Sequence, residues 1–270
     1  MTLKLHTIIT LCIIYPLFVP AQSVSGKIEY TYDQKLTNVK LSRSATLIFS
    51  EDASVFYHSR GSGIVAVDID GNVGGPDLEY TTGPDHDGSP VIDFYRKDAL
   101  GNTIYANFGQ NTMRAREMVL LRPYAYDEPG IPRIDWQPVD TSKMIGSYLC
   151  LAARARFRGR DYLAWYTPEL PYPFGPWKLT GLPGVILEAT DTEQRVVFHV
   201  TSITLNLSPE RLAVVVPPPA EKHEITFAEF QHVHQKERRR LLRQASSTNE
   251  RGQGGESNRT YPAVEIFPEQ

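Results

Sequence analysis

A mainly β protein is what this sequence predicts: an antiparallel curved sheet or half-barrel, laid down as a meander of hairpins, with at least one C-terminal helix. Three observations carry that expectation. Apolar and polar residues alternate with period two over several stretches rich in Tyr, Val, Ile and Thr, the pattern of a strand with one wet face. Successive stretches are joined by turns of a few residues, too short for the crossover that parallel strands need. Near the C-terminus a single stretch changes to helical periodicity behind a capping signal.

The first residues read as an export signal. Lys4 is the only Lys or Arg before position 27, an apolar run covers residues 8–18, and Val19-Pro20-Ala21 places small residues at the −3 and −1 positions of a cleavage site. The run is shorter than the roughly 20 residues of a membrane-spanning helix, and Pro16 and Pro20 oppose a buried helix. Cleavage is expected after Ala21, with Gln22 as the mature N-terminus. Cys12 lies inside this segment and no Cys follows the apolar core, so no lipid-attachment site is expected. The mature chain is expected to be soluble in the periplasm or beyond it, or associated with the outer membrane, with no later membrane span.

The elements then follow in order. Residues 24–32, 44–49 and 54–58 alternate as strands, and Asp70-Gly71 after the apolar run 64–67 is a hairpin turn signal. Residues 71–90 are crowded with Gly, Pro, Asp and Thr and read as a long surface loop. Strands resume at 91–96 and 102–108, and 114–121 is compatible with strand or helix. Residues 123–138 are proline-studded and expected to be irregular, with Ile134 and Trp136 facing the core. The strand 148–157, a turn over Arg158-Gly159-Arg160-Asp161 and the strand 162–167 form one hairpin. Residues 185–189, a turn from Asp191 and residues 196–204 form a second. Thr226 and Glu229 form a capping box ahead of Phe227, Phe230, Val233 and Leu241, which share a helical face. The domain organisation expected is a signal at 1–21, one β-rich domain over 22–245 and a mostly flexible tail over 246–270, whose Ser, Gly, Asn and Glu content cannot bury much apolar area.

Composition bounds the function. Lys and Arg number 28 against 31 Asp and Glu, a formal charge of −3, so no strong field of one sign points to nucleic acid or an acidic membrane. Cys150 is the only Cys after the signal, which excludes an internal disulfide and leaves stability to burial.

The most informative stretch begins at Ile145-Gly-Ser-Tyr and continues through Gly159-Arg160-Asp161-Tyr162-Leu163-Ala164-Trp165, Gly175-Pro176-Trp177 and Gly181-Leu182-Pro183-Gly184-Val185-Ile186 to Asp191. As an ordered set over about 45 residues, these motifs resemble the GLPGLI family of secreted Bacteroidetes proteins. Val185 stands where the family's hexapeptide has Leu, a smaller apolar residue compatible with the same fold. Ala153 stands where many members have Lys, so nothing that depends on that Lys carries over. The resemblance implies a secreted β-rich protein and implies no activity. The order of an aromatic-Thr-Pro strand end, a Leu-Pro-Gly turn and an apolar strand ending in Asp is also similar to lipoprotein carriers, curved half-barrels that shelter acyl chains; this is analogy of fold.

Physically, Gly181 and Gly184 bracket Leu182-Pro183, so free glycine torsions flank a fixed proline and make a rigid turn. This turn reads either as a structural corner locking two hairpins or, with Trp165, Tyr166 and Trp177, as the rim of an apolar ligand cavity. Cys150 sits in an alternating strand with no Cys-His arrangement and reads as a packed thiol. Asp85-His86-Asp87 lies in the Gly/Pro loop without a second ligand group, and Asp68 and Asp70 lack the spacing and distal Glu of a calcium loop. His232 and His234 fall on different faces of their helix. No catalytic residue, metal site or cofactor is therefore expected. The reading is a binding or carrier protein for an apolar small molecule or lipid; the alternative is a structural or interaction protein with an envelope partner, and a hydrolase is more distant.

Overall fold

The computed structural model describes residues 25–36, 39–58, 78–84, 90–96, 100–119, 122–249 and 265–267. The signal segment, Asp68, Asp70 and the Asp85-His86-Asp87 loop lie outside them. The described strands are β1 (Gly26–Leu36), β2 (Val39–Phe49), β3 (Ala53–His58), β4 (Leu78–Pro84), β5 (Pro90–Arg96), β6 (Asn102–Asn107), β7 (Thr112–Val119), β8 (Arg122–Asp127), β9 (Gln137–Ile145), β10 (Tyr148–Phe157), β11 (Arg160–Thr167), β12 (Val185–Asp191) and β13 (Val196–Leu205). Two helices follow, α1 (Pro209–Leu212) and α2 (Phe227–Asn249).

Eleven strands form one antiparallel sheet in the order β8-β7-β6-β3-β2-β1-β13-β12-β11-β10-β9, and β4 and β5 form a separate pair. The expected mainly β, meandering half-barrel with a C-terminal helix is thus the fold. The two edge strands, β8 and β9, are consecutive in sequence, so residues 128–136 run from one edge of the sheet to the other. Register shifts at Glu29/Tyr30, Leu151/Ala152 and Trp165/Tyr166 are bulges, which bend a strand and increase its twist.

Period-two alternation sorts the side chains. On the inner face Ile28, Tyr30, Tyr32, Leu47, Phe49, Phe56, Ile104, Ala115, Tyr126, Tyr162, Ala164 and Phe198 form one continuous buried cluster. Lys27, Glu29, Thr31 and Asp33 occupy the other parity of β1, less buried. On the outer face, residues 207–225 run back over the sheet. Leu207 packs on Ile48 and Val55, Arg114 reaches the Pro218 carbonyl at 3.2 Å and Glu224 at 2.8 Å, and Arg116 pairs with Glu221. The run ends by hydrogen bonding the β8 edge: Ala125 N–H donates to His223 at 3.2 Å and Ile225 N–H donates to Ala125 at 3.0 Å. An edge that would otherwise offer free backbone groups is thereby covered.

Five expectations need correction. Residues 71–90 are not loop throughout, because Leu78–Pro84 pairs with Pro90–Arg96 along a seven-residue ladder; Tyr80, Thr81 and Thr82 are strand formers despite the flanking turn residues. Residues 123–138 are irregular only between β8 and β9; Ile134 and Trp136 are partly buried against the core as expected. β9 itself was not foreseen, since as an edge strand it is largely exposed and lacks alternation. α2 runs past residue 245 to Asn249, and Glu265 and Phe267 are buried, so the packed body includes part of the expected tail. Gly184 does not use a positive φ; Gly181 does, at +92°. Gly184 is required by close approach instead, since a Cβ there would lie 2.2 Å from the Thr167 carbonyl oxygen.

Replacing Gly184 by Val should therefore cost about 3 kcal/mol or more, because the clash is with backbone that cannot rotate away. Gly181→Ala, with open space around its Cβ, should cost about 1 kcal/mol of φ strain. Thermal melts of the two variants check the order.

Candidate functional site

The inner face of the half-barrel is the natural place to look for a ligand, and the chain itself fills it. Residues 168–184, between β11 and β12, form a strap laid against the cluster. Leu170, Phe174, Trp177, Leu179 and Leu182 are all buried in it. Phe174 packs on Phe49, Phe108 and Tyr172 with ring centroids 5.3–6.0 Å apart. Backbone bonds hold the strap's path: Gly181 N–H to the Pro173 carbonyl, Val185 N–H to Leu170 and Ile186 N–H to Phe174, each 3.0 Å. Trp136, on the segment joining the two sheet edges, donates its indole N–H to the Thr180 carbonyl at 2.9 Å. Tyr30 donates to the Ile186 carbonyl at 2.7 Å.

The hexapeptide Gly181 to Ile186 lies where the strap turns into β12. Leu182 is buried, and Val185 and Ile186 are wholly so. Trp165, Tyr166 and Trp177 differ in burial. Tyr166 and Trp177 belong to the interior, whereas Trp165 has the opposite strand parity and lies under the Lys143 ammonium, 4.5 Å from its ring centroid. Trp165 is only partly buried against the core cluster, unlike its neighbour Tyr166.

The polar centre of the site is Lys178, completely buried. Its Nζ meets Glu117 at 3.1 Å, Glu128 at 3.0 Å, the Tyr126 hydroxyl at 2.7 Å and the carboxylate of Glu265. Trp177 Nε1 donates to Glu117 at 3.3 Å, and Arg158 donates to Glu128 at 2.6 Å. The rings of Tyr126, Trp177 and Phe230 stand 5.1, 5.6 and 5.9 Å from the ammonium. Trp177 adopts φ +55°, an unusual torsion for a bulky residue that persists where surroundings dictate it. Six parts of the chain converge here: β7, the end of β8, the β10–β11 turn, the strap, α2 and the C-terminal residues 265–267.

Electrostatics in this centre is set by burial against charge. Burial alone would lower the Lys178 pKa, but the carboxylates of Glu117, Glu265 and Glu128 outweigh it and hold the amine above the ordinary lysine range. Burial would raise Glu117; the Lys178 charge and the hydrogen bonds from Tyr126, Lys178 and Trp177 overcome it and leave the carboxyl below its usual value. Glu265 goes the other way, pushed by burial to about 7 despite Lys178 and Arg158.

Elsewhere Cys150 is fully buried and its thiol is pushed to about 11 by burial, the environment of an inert packed cysteine. His234 is buried and held neutral, its pKa lowered to about 4, while His232 is exposed. Arg160 and Asp191 form a second buried ion pair at 2.8 Å, with Asp191 also accepting from the Arg195 and Val196 amides. Among the described residues, no group of three or more His, Cys, Asp or Glu is placed to hold a metal. No described helix is long and apolar enough to cross a membrane.

No protein-family model matches the chain. No curated protein matches it either. Among solved structures, two crystal forms of PNGF-II superpose on 79% of this chain with TM-scores of 0.48 and 0.49, at 13% and 12% identity. The chain spans about a third of that protein's length. The LolA superfamily protein NE2245 from Nitrosomonas europaea superposes on 70% of this chain and 89% of its own, with a TM-score of 0.28 and 8% identity. These superpositions are too loose to transfer an activity.

Sequence reasoning missed Lys178 and its partners. The available signal was a lysine between Trp177 and Leu179 in an otherwise apolar motif, since Lys is almost never fully buried unless paired. Lys178→Met should destabilise the fold by about 3–5 kcal/mol by leaving buried carboxylates without their cation, and adding Glu265→Gln should restore part of the loss; chemical denaturation of both variants checks this.

Titration gives a separate test. Glu265, with its pKa raised from 4.5 to about 7, contributes stability that is complete below 4.5 and lost as pH rises through 7. His234 and His58, held near 4 and 3 against an ordinary 6.5, contribute stability present above 6.5 and lost on acidification. The two effects oppose each other between pH 5 and 7. Glu265→Gln removes the first, so the rise in melting temperature from about pH 5 to about pH 7 should be steeper in that variant than in the parent.

Proposed function

We propose that this chain is an exported binding protein of the cell envelope, a GLPGLI family member without catalytic chemistry, that acts through its surfaces and not through an internal ligand cavity. The observation that carries this reading is the strap. Phe174, Trp177, Leu179 and Leu182 occupy the inner face where a half-barrel carrier would shelter an acyl chain, and Lys178 anchors them through buried ion pairs. Displacing the strap would expose that apolar surface and strand the ions, a large cost beside the marginal stability of a domain. Export rests on the signal pattern around Lys4 and Ala21. The absence of catalysis rests on the lack of any motif pairing a nucleophile with a base, and on the burial of Cys150.

A second reading is favoured by one specific feature. Met144, Leu149 and Leu151 are exposed on the β9–β10 hairpin, at 59%, 48% and 37%. Leu151 is the cross-strand neighbour of Tyr166. An acyl chain could rest on this apolar edge without displacing the strap.

Native mass spectrometry of the protein purified from its own host separates the two. The first reading predicts a mature polypeptide beginning at Gln22 with no retained lipid. A stoichiometric lipid adduct, abolished by Leu149→Ser and Leu151→Ser, would overturn it in favour of the second.

A further inference from the structure

The residues Glu265-Ile266-Phe267 lie in the protein as a ligand lies in a receptor. They belong to none of the described strands, yet they are bound by three kinds of contact. Ile266 N–H donates to the Arg158 carbonyl at 2.9 Å. The Glu265 carboxylate meets Lys178. The Phe267 ring stands edge-on in a box of Phe227, Phe230 and His234, with centroids 6.0, 6.3 and 5.4 Å away at interplanar angles of 77–90°, and the Arg158 guanidinium lies 5.4 Å from the Phe267 ring. One backbone bond, one charged pocket and one aromatic pocket for alternate side chains is how extended peptides are recognised. Gly159, in the turn beside Arg158, makes room for the segment: a Cβ there would lie 2.4 Å from the Ile266 carbonyl oxygen.

The receptor is electrically complete without this occupant. Lys178 and Arg158 balance Glu117 and Glu128, all joined by ion pairs at 2.6–3.1 Å. Glu265 adds a third carboxylate, and its Oε2 is buried without a hydrogen-bond partner. The segment is therefore an addition to a finished site, and its acid is not the best possible fit.

We propose that this groove is a peptide-binding site, closed in cis by the chain's own Glu265–Phe267 and open in trans to a partner polypeptide with an extended segment carrying an acid or amide side chain and, two residues later, an aromatic ring. The proposal rests on the reading of the protein as an interaction module and names the class of partner. Ion balance explains why an amide serves as well as an acid. Groups facing the first position are Glu117 from β7, Tyr126 from β8, Glu128 beyond it, Arg158 from the β10–β11 turn and Lys178 from the strap; His234 of α2 faces the second. The burial that pushes Glu265 to about 7 makes an acidic occupant bind more tightly as the pH falls through that value, a dependence that an amide occupant lacks.

The test uses the full chain with a protease site inserted between residues 251 and 258, cleaved after folding. A fluorescent peptide of residues 261–270 is added and followed by anisotropy. It should exchange into the nicked protein and not into the uncut chain. Glu265→Ala and Phe267→Ala peptides should bind at least about tenfold more weakly, about 1.4 kcal/mol per tenfold. The Glu265→Gln peptide should bind at least as tightly as the parent at pH 8. Equal binding of all peptides overturns the proposal. So does a nicked protein that never releases its fragment, or one that unfolds when the fragment leaves, because the segment is then a permanent part of the fold. None of these outcomes bears on lipid retention, so failure here is distinguishable from failure of the surface-binding reading.

Discussion

The ammonium of Lys178 is the constraint to which the rest of the interior answers. A lysine with no exposed surface pays a large desolvation penalty unless charges surround it, and three carboxylates and a phenol do so here. Those groups come from distant parts of the chain, so satisfying one cation fixes the relative positions of β7, β8 and the strap. Such a centre adds little net stability compared with an apolar equivalent, yet removing the cation leaves uncompensated carboxylates. Its effect is to specify a single placement of the strap among the many that an apolar surface alone would permit.

With the strap so placed, the half-barrel has an interior built from its own side chains. An open antiparallel sheet has two vulnerable edges and one apolar face. Here the face is closed by the strap and α2, one edge is covered by residues 223–225, and the two edges are joined across the strap by residues 128–136. Among the described residues, large apolar side chains stand exposed on the β9–β10 hairpin, at Met144, Leu149 and Leu151, and at Val214 and Val216.

Much of the fold was legible because local and global preferences agree. The strand 148–157 alternates along nearly its whole length and matches β10 residue for residue. The capping box was equally clear, with Thr226 and Glu229 exchanging hydrogen bonds at 2.8 and 3.2 Å. β9 was not legible, because an edge strand exposed on both sides has no pattern to impose and Pro138 argues against it. The site was legible only in part. Aromatics and glycines marked residues 159–186 as important, and the bulge at Trp165/Tyr166 and the strand parity of Trp165 decide which of them face inward. Lys178, Glu117, Glu128 and Glu265 lie up to 148 positions apart in the numbering, and nothing in their local sequence shows that they converge. Gly181 and Gly184 look alike in the sequence, yet only Gly181 uses a positive φ, and only Gly184 is approached closely by the Thr167 carbonyl.

Native-state hydrogen exchange shows whether the strap is a fixed part of the interior. Amides of Leu179, Gly181, Val185 and Ile186 are bonded within or beside a buried strap. They should exchange as slowly as those of the central strands β1 and β13, by opening only in global unfolding. Rapid exchange of the strap amides while β1 and β13 stay protected would contradict it, and would make the inner face of the half-barrel accessible to a ligand after all.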